Sequence, residues 1–204
     1  MTETHPNARL EAFCDGVFAI AATLLVIDVK LPATELIGST AGLWLAIRHT
    51  GPAIGAFVLS FTIIFITWVN HHATLKLVAR SSSSFIYANG LLLLSVVFLP
   101  FPTALLGEYV MTDHAAPAVV LYNAVLVLQA LGWLLICQAV LSNDLARSER
   151  AAAQIRRNGR YGYVAIALYS LCVVLGLQFP RTIAAFTVVI WCFWLVLGIS
   201  MKPE

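Results

Sequence analysis

Long apolar runs, interrupted by short polar segments, set the pattern of this chain. A helix that crosses a hydrocarbon core of about 30 Å needs roughly 20 apolar residues. Six runs reach about that length: 12–31, 52–73, 85–106, 117–141, 161–179 and 182–201. Pro32 predicts the end of the first, and the second contains AFVLSFTIIFITWV without a charge. Backbone groups in lipid have to be satisfied within their own segment, so runs of this length predict helices. Membrane strands would be near ten residues long and alternate in polarity. The expected fold is all-α: a polytopic membrane protein with six transmembrane helices in a single domain, 1–204. Pro100 and Pro102, in FLPFPT, predict a stop near the outer end of the third helix.

The polar segments between the runs predict an orientation. With the N-terminus inside, nine of the twelve lysines and arginines fall on the inner side: Arg9, Lys76, Arg80, Arg147, Arg150, Arg156, Arg157, Arg160 and Lys202. Basic residues favour the cytoplasmic side, so both termini are expected there. The segment 143–160, with five arginines, reads as an extension of the fourth helix or as an interfacial helix with a solvated face. Such a face could meet anionic headgroups. No basic cluster precedes the first run, which is unlike a signal peptide, so that helix is expected to be retained.

Composition agrees with a membrane solvent. The chain has 204 residues, 60% hydrophobic and 11% charged, where soluble domains carry about 25% charged residues. Its mean hydropathy is +0.88. With a net charge of +2 and no basic stripe, nucleic acid is excluded as a partner. Cys14, Cys137, Cys172 and Cys192 lie in or beside apolar runs without a CxxC pair, which argues against both a disulfide framework and a zinc site. No nucleophile with a base and no phosphate-cradling glycine loop is present, so neither an enzyme nor a cofactor is expected.

Candidate chemistry concentrates in the first helix, RLEAFCDGVFAIAATLLVIDVKLP, which carries Asp15 and Asp28 into an apolar run. Ionisable residues in a span usually face protein or water. At about 100° per residue, Ile20, Leu24, Ile27 and Leu31 fall within about 60° of one another, Thr23 borders them, and Asp15 points to nearly the opposite side. Periodicity alone reads such an aliphatic stripe as a lipid-facing or packing surface. The second helix ends in WVNHH, placing Trp68, His71 and His72 at the same depth as Arg9 and Asp15, where they could satisfy one another's hydrogen bonds.

The stretch FCDGVFAIAATLLVIDVKLP, with Arg9 four residues before Phe13, resembles the FSDGVFAIA signature of the endolysosomal potassium channel family, transmembrane protein 175 and its bacterial homologues. The WVNHH ending resembles that family's tryptophan and histidine motif. The resemblance implies that the first helix lines a central pore, with a hydrophobic constriction at Ile20, further pore-facing positions at Leu24 and Ile27, and a selectivity threonine at Thr23. It also implies a structural network behind the pore helix drawn from Arg9, Phe13, Asp15, Trp68 and His71 or His72. Cys14 stands where the signature has serine and is a weaker hydrogen-bond partner.

The signature occurs once, and one helix cannot enclose a conduit, so several copies around an axis are needed. The resemblance implies a homotetramer in a bacterial-type cell membrane. Its expected partners are other copies of the chain, lipid and permeant potassium ions. The implied function is passive potassium conduction through an apolar neck that blocks ions by dewetting, without a TVGYG filter and therefore of modest selectivity. The alternatives are a proton-conducting or proton-coupled transporter, whose internal repeat and midplane charges are missing, and a membrane haem protein. The latter lacks a pair of histidines at one depth on different helices.

Overall fold

The computed structural model describes residues 7–30 and 37–200, the last four of these by backbone only. Eight helices and no strand occur among the described residues: α1 (Ala8–Leu24), α2 (Thr40–His49), α3 (Gly51–Lys76), α4 (Ser83–Phe98), α5 (Pro100–Tyr109), α6 (Ala115–Ser142), α7 (Glu149–Gly176) and α8 (Pro180–Ser200). A 3-10 turn, Leu25–Asp28, continues α1. Five spans are long and apolar enough to cross a membrane: α1 with its 3-10 turn, α3, the α4–α5 pair, α6 and α7. Large apolar side chains such as Phe65, Leu94 and Val174 are exposed on these spans, as lipid permits. The chain is an integral membrane protein. Pro32, expected to end the first helix, Leu31 of its aliphatic stripe and Lys202 of the inner-side basic residues lie outside the described residues.

Two expectations are corrected. The prolines of FLPFPT end α4 at Phe98 but not the third span, because α5 starts at Pro100 and carries the 27-residue span Ser83–Tyr109 onward. Pro100 has no N–H for Val96 O, but Leu99 N–H reaches that carbonyl at 3.3 Å, and Thr103 N–H resumes the ladder on Leu99 O at 3.1 Å. Proline is tolerated in a helix's first turn, where its N–H is not required. The arginine-rich segment neither extends α6 nor forms a separate interfacial helix. It forms the first turns of α7, capped by Ser148 Oγ, which accepts from Ala151 N–H at 3.2 Å. The break before it is a turn with Asp144 at φ 48°, pinned to the α3–α4 connection by Ala79 N–H to Leu145 O (2.8 Å) and Arg147 N–H to Leu77 O (2.9 Å). Finally, α2 is a short helix that the apolar pattern did not announce, capped by Ser39.

Glycines permit two close crossings. A Cβ on Gly132 of α6 would stand 2.9 Å from Leu92 Cα and N of α4, and one on Gly107 of α5 would stand 2.8 Å from Ala53 Cα of α3. Small residues let helix backbones approach in lipid, where packing replaces the hydrophobic effect between helices. Polar side chains also pair across the core: Ser60 Oγ lies 2.6 Å from Thr103 Oγ1 and 3.0 Å from the Tyr122 hydroxyl, joining α3, α5 and α6. Thr187 Oγ1 meets Asn123 Oδ1 at 3.1 Å between α8 and α6.

Gly132→Ala should lower stability by about 1–3 kcal/mol, the usual cost of overpacking a close contact. Gly90→Ala, whose Cβ would meet nothing within 4 Å, should melt at or slightly above the wild-type temperature. Thermal unfolding of the purified protein in detergent, with both variants side by side, checks the contrast.

Candidate pore-lining helix and the cluster behind it

α1 has two unlike faces. Cys14, Phe18, Ala21 and Leu25 recur at helical spacing and are buried against α3 and α4, none more than 2% exposed. The opposite face carries Phe13, Gly16, Ile20, Thr23, Leu24 and Ile27, all exposed in the isolated protomer, with Ile20 at 60% and Ile27 at 71%. Ile20, Leu24 and Ile27, singled out in the sequence, thus share a surface left exposed among the described residues. Thr23 Oγ1 donates to Ile20 O at 2.8 Å, so its proton is engaged in the helix and its oxygen lone pairs remain free on the exposed side.

Asp15 lies on the side of α1 that meets α3. Its Oδ1 accepts from Trp68 Nε1 at 2.8 Å. Trp68 stacks on His72 one turn further on, with ring centroids 6.0 Å apart and planes 20° apart. His72 Nδ1 lies 3.1 Å from Glu11 Oε1, within ion-pair distance but not aligned for a hydrogen bond. Two acidic residues of α1, Glu11 and Asp15, one helical turn apart, therefore face Trp68 and His72 of α3.

His71 turns the other way. Asn89 Nδ2 donates to Phe85 O at 2.7 Å, which makes Asn89 Oδ1 an acceptor. His71 Nε2 meets that oxygen at 2.7 Å, so His71 carries its proton on Nε2. The Phe18 ring packs on the imidazole at 5.4 Å, and His71 is buried. The imidazole therefore ties α3 to α4 while its neighbour faces α1.

The structure does not bring every residue singled out in the sequence into this cluster. Arg9 stands exposed at the start of α1 with no hydrogen-bond or ion-pair partner among the described residues, and Phe13 points away from the protomer. Lys30 pairs with Glu108 at 3.3 Å on an exposed surface. Glu11 and Asn89 were missed. Glu11 is detectable as the carboxylate four residues before Asp15, and Asn89 as the one amide in the third apolar run. No group of three or more His, Cys, Asp or Glu side chains among the described residues is placed to hold a metal ion.

The chain is an all-helical bundle with several membrane spans and a two-faced first helix, and comparison with known proteins gives it a family. The model of the endosomal/lysosomal potassium channel TMEM175 matches residues 9–100. A crystal structure of a lysosomal potassium-selective channel TMEM175 homologue from Chamaesiphon minutus superposes with a TM-score of 0.84 at 32% identity, covering 94% of this chain and 97% of that one. The chain belongs to the TMEM175 family. A curated potassium channel of Chamaesiphon minutus is 46% identical over 123 residues, a match that spans 60% of this chain and only 60% of that protein. The human endosomal/lysosomal proton channel TMEM175 is 34% identical over 103 residues, 48% of this chain and 20% of that protein.

Trp68→Phe strands the Asp15 carboxylate, and Asp15→Leu strands the indole N–H. Each should cost about 1–3 kcal/mol, the desolvation penalty of an unsatisfied polar group. The double variant should cost clearly less than the two singles combined, since the second change removes a group already left without its partner. A double-mutant cycle on thermal unfolding measures this coupling, and strict additivity would mean the bond contributes nothing.

Proposed function

We propose that the chain is one subunit of a homotetrameric, potassium-permeable cation channel of the cell membrane, with a central pore lined by α1. The observation that carries this reading is the bare apolar face of α1 set opposite its buried face. A pore-lining helix must pack one side on its own subunit and turn the other to the axis, and four copies close a conduit that one cannot. Ile20, Leu24 and Ile27 form the apolar constriction, which stops ions by dewetting and conducts when the α1 helices separate. The Thr23 oxygens, whose lone pairs are left free by the bond to Ile20 O, offer acceptors to a passing cation.

The remaining parts have supporting roles. Asp15, Trp68 and His72 hold α1 against α3, and His71 holds α3 to α4, so the cluster sets the orientation of the pore helix without touching the ion. Arg9 and Phe13, exposed in the protomer, face neighbouring copies or headgroups. The chain forms a single domain with six spans, α8 being the sixth: its 21 residues extend about 31 Å at 1.5 Å per residue, close to the thickness of a hydrocarbon core. An even number of spans leaves both termini on one side, and the distribution of basic residues favours the cytoplasm. Conduction needs no cofactor and no chemical step. Selectivity rests on a short constriction and the Thr23 oxygens and is therefore modest.

A second reading, proton conduction through the same pore, is favoured by the human relative, which is named as a proton channel. Liposomes loaded with potassium and carrying a pH-sensitive dye separate the two. Wild type should pass potassium in preference to sodium, Ile20→Asn should raise the flux several-fold by wetting the constriction, and Thr23→Ala should erode the preference. Acidification of the lumen without any monovalent-cation flux would replace the potassium reading by the proton reading, and no flux of either kind would end both.

A further inference from the structure

A groove lies among α3, α4, α6, α7 and α8, with no α1 residue in its walls. Asn70, Trp133, Tyr161 and Trp194 along it are half-buried, so it opens to the surface of the bundle. Its volume is about 150 Å³, the room that an engineered cavity gives a benzene ring, so it admits part of one flexible chain and not a whole lipid.

The walls change in character along their length. α3 and α6 end, and α7 begins, at one end of the bundle, where the turn before α7 is hydrogen-bonded to the α3–α4 connection. Nearest that end stand Asn70 of α3 and Asn158 of α7. Neither amide has a hydrogen-bond partner among the described residues, and both keep accessible surface. Further along come tryptophan and tyrosine, and then aliphatic side chains such as Ile63 and Leu126. No residue lining the groove is charged.

Charge stands just beyond its polar end. At about 100° per residue, Arg150, Gln154, Arg157 and Tyr161 follow one another along one side of α7, within about 60°. Tyr161 is itself a wall of the groove, its ring meeting Trp194 edge-on with centroids 6.2 Å apart. Arg157 lies one turn before it and next to Asn158. Arg150 and Arg157 are exposed, with no hydrogen-bond or ion-pair partner among the described residues. Glu149, the one acidic residue of α7, lies on the side of the helix away from the groove.

We propose that this groove seats one acyl chain of an anionic phospholipid whose headgroup lies along Arg157 and Arg150. A free phosphate would use the arginines and leave the groove empty, and a purely apolar molecule would leave the arginines and amides unused. A phospholipid engages all three zones: guanidinium donors meet the phosphate, the amide N–H groups of Asn70 and Asn158 meet the ester carbonyls, and the chain lies among aromatic and aliphatic walls. Tryptophan and tyrosine favour the depth at which headgroup gives way to chain. The site rests on the chain crossing a membrane, and neither on the pore reading nor on the number of subunits.

The test is quenching of tryptophan fluorescence by phospholipids brominated on the acyl chain, since Trp133, Trp191 and Trp194 line the groove. The full-length protein is placed in phosphatidylcholine vesicles that hold a minor share of brominated phosphatidylglycerol, or the same share of brominated phosphatidylcholine. An arginine near the membrane surface favours an anionic lipid about fivefold, so phosphatidylglycerol should quench at a mole fraction roughly tenfold lower than phosphatidylcholine. Arg150→Gln with Arg157→Gln should abolish this preference. Arg156→Gln with Arg160→Gln, which removes equal charge from the side of α7 away from the groove, should keep it. Ala165→Leu, which narrows the groove, should reduce quenching by phosphatidylglycerol severalfold. Equal quenching of wild type by the two lipids, the result if a second copy of the chain covers the groove, overturns the proposal. So does equal loss in the two arginine pairs, which means diffuse attraction to a basic surface, or wild-type quenching in Ala165→Leu. If Ala165→Leu is not recovered as a folded protein, the contrast between the arginine pairs decides the matter.

Discussion

The bond between the Trp68 indole and the Asp15 carboxylate fixes which way α1 faces. A helix that packs through one apolar stripe can turn about its axis at modest cost, since neighbouring aliphatic positions are nearly equivalent. A directed charge-assisted hydrogen bond of 2.8 Å between α1 and α3 removes that freedom. Once Asp15 is anchored, Cys14, Phe18, Ala21 and Leu25 must enter the protomer, and the positions between them must leave it. The two faces of α1 are consequences of one polar contact as much as of hydrophobic packing.

Polar groups elsewhere act in the same manner. His71 and Asn89 join α3 to α4, Ser60 with Thr103 and Tyr122 joins three helices, and Gln129 with Thr67 joins α6 to α3. Between helices in lipid the apolar surfaces of protein and solvent are alike, so close backbone crossings at glycine and neutral hydrogen bonds supply much of the specificity. The Thr103 hydroxyl also bonds Leu99 O at 2.8 Å, beside the prolines of α5, where the helix ladder is incomplete.

The long spans were legible because their length and lack of charge leave few other structures possible in a bilayer. α2 was not, since TAGLWLAIRH is ten residues long, mixes polar and apolar residues, and falls far short of a span. The arginine-rich segment read as helix, as its alanines and arginines favour, but its place at the start of α7 was not legible, because no glycine or proline marks the break between Asn143 and Ser148. Asp15 and Trp68 were recognisable from their types and depth. The division of labour between His71 and His72 was not, because adjacent residues on a helix point about 100° apart, and only the packed neighbours determine which imidazole meets α1 and which meets α4. Arg9 belonged with them by depth, yet the protomer leaves it exposed.

The 3-10 turn that follows α1 alters the geometry of its outward face. In an α-helix the four steps from Ile20 to Leu24 rise about 6 Å. In the tighter winding of Leu25–Asp28, three steps rise about 6 Å and complete a full turn, so side chains three apart eclipse. Ile27 is thereby aligned above Leu24 and stands as far from it as Leu24 stands from Ile20. The change of winding evens the rise between successive aliphatic side chains on that face, about 6 Å for each interval of the series Ile20, Leu24 and Ile27.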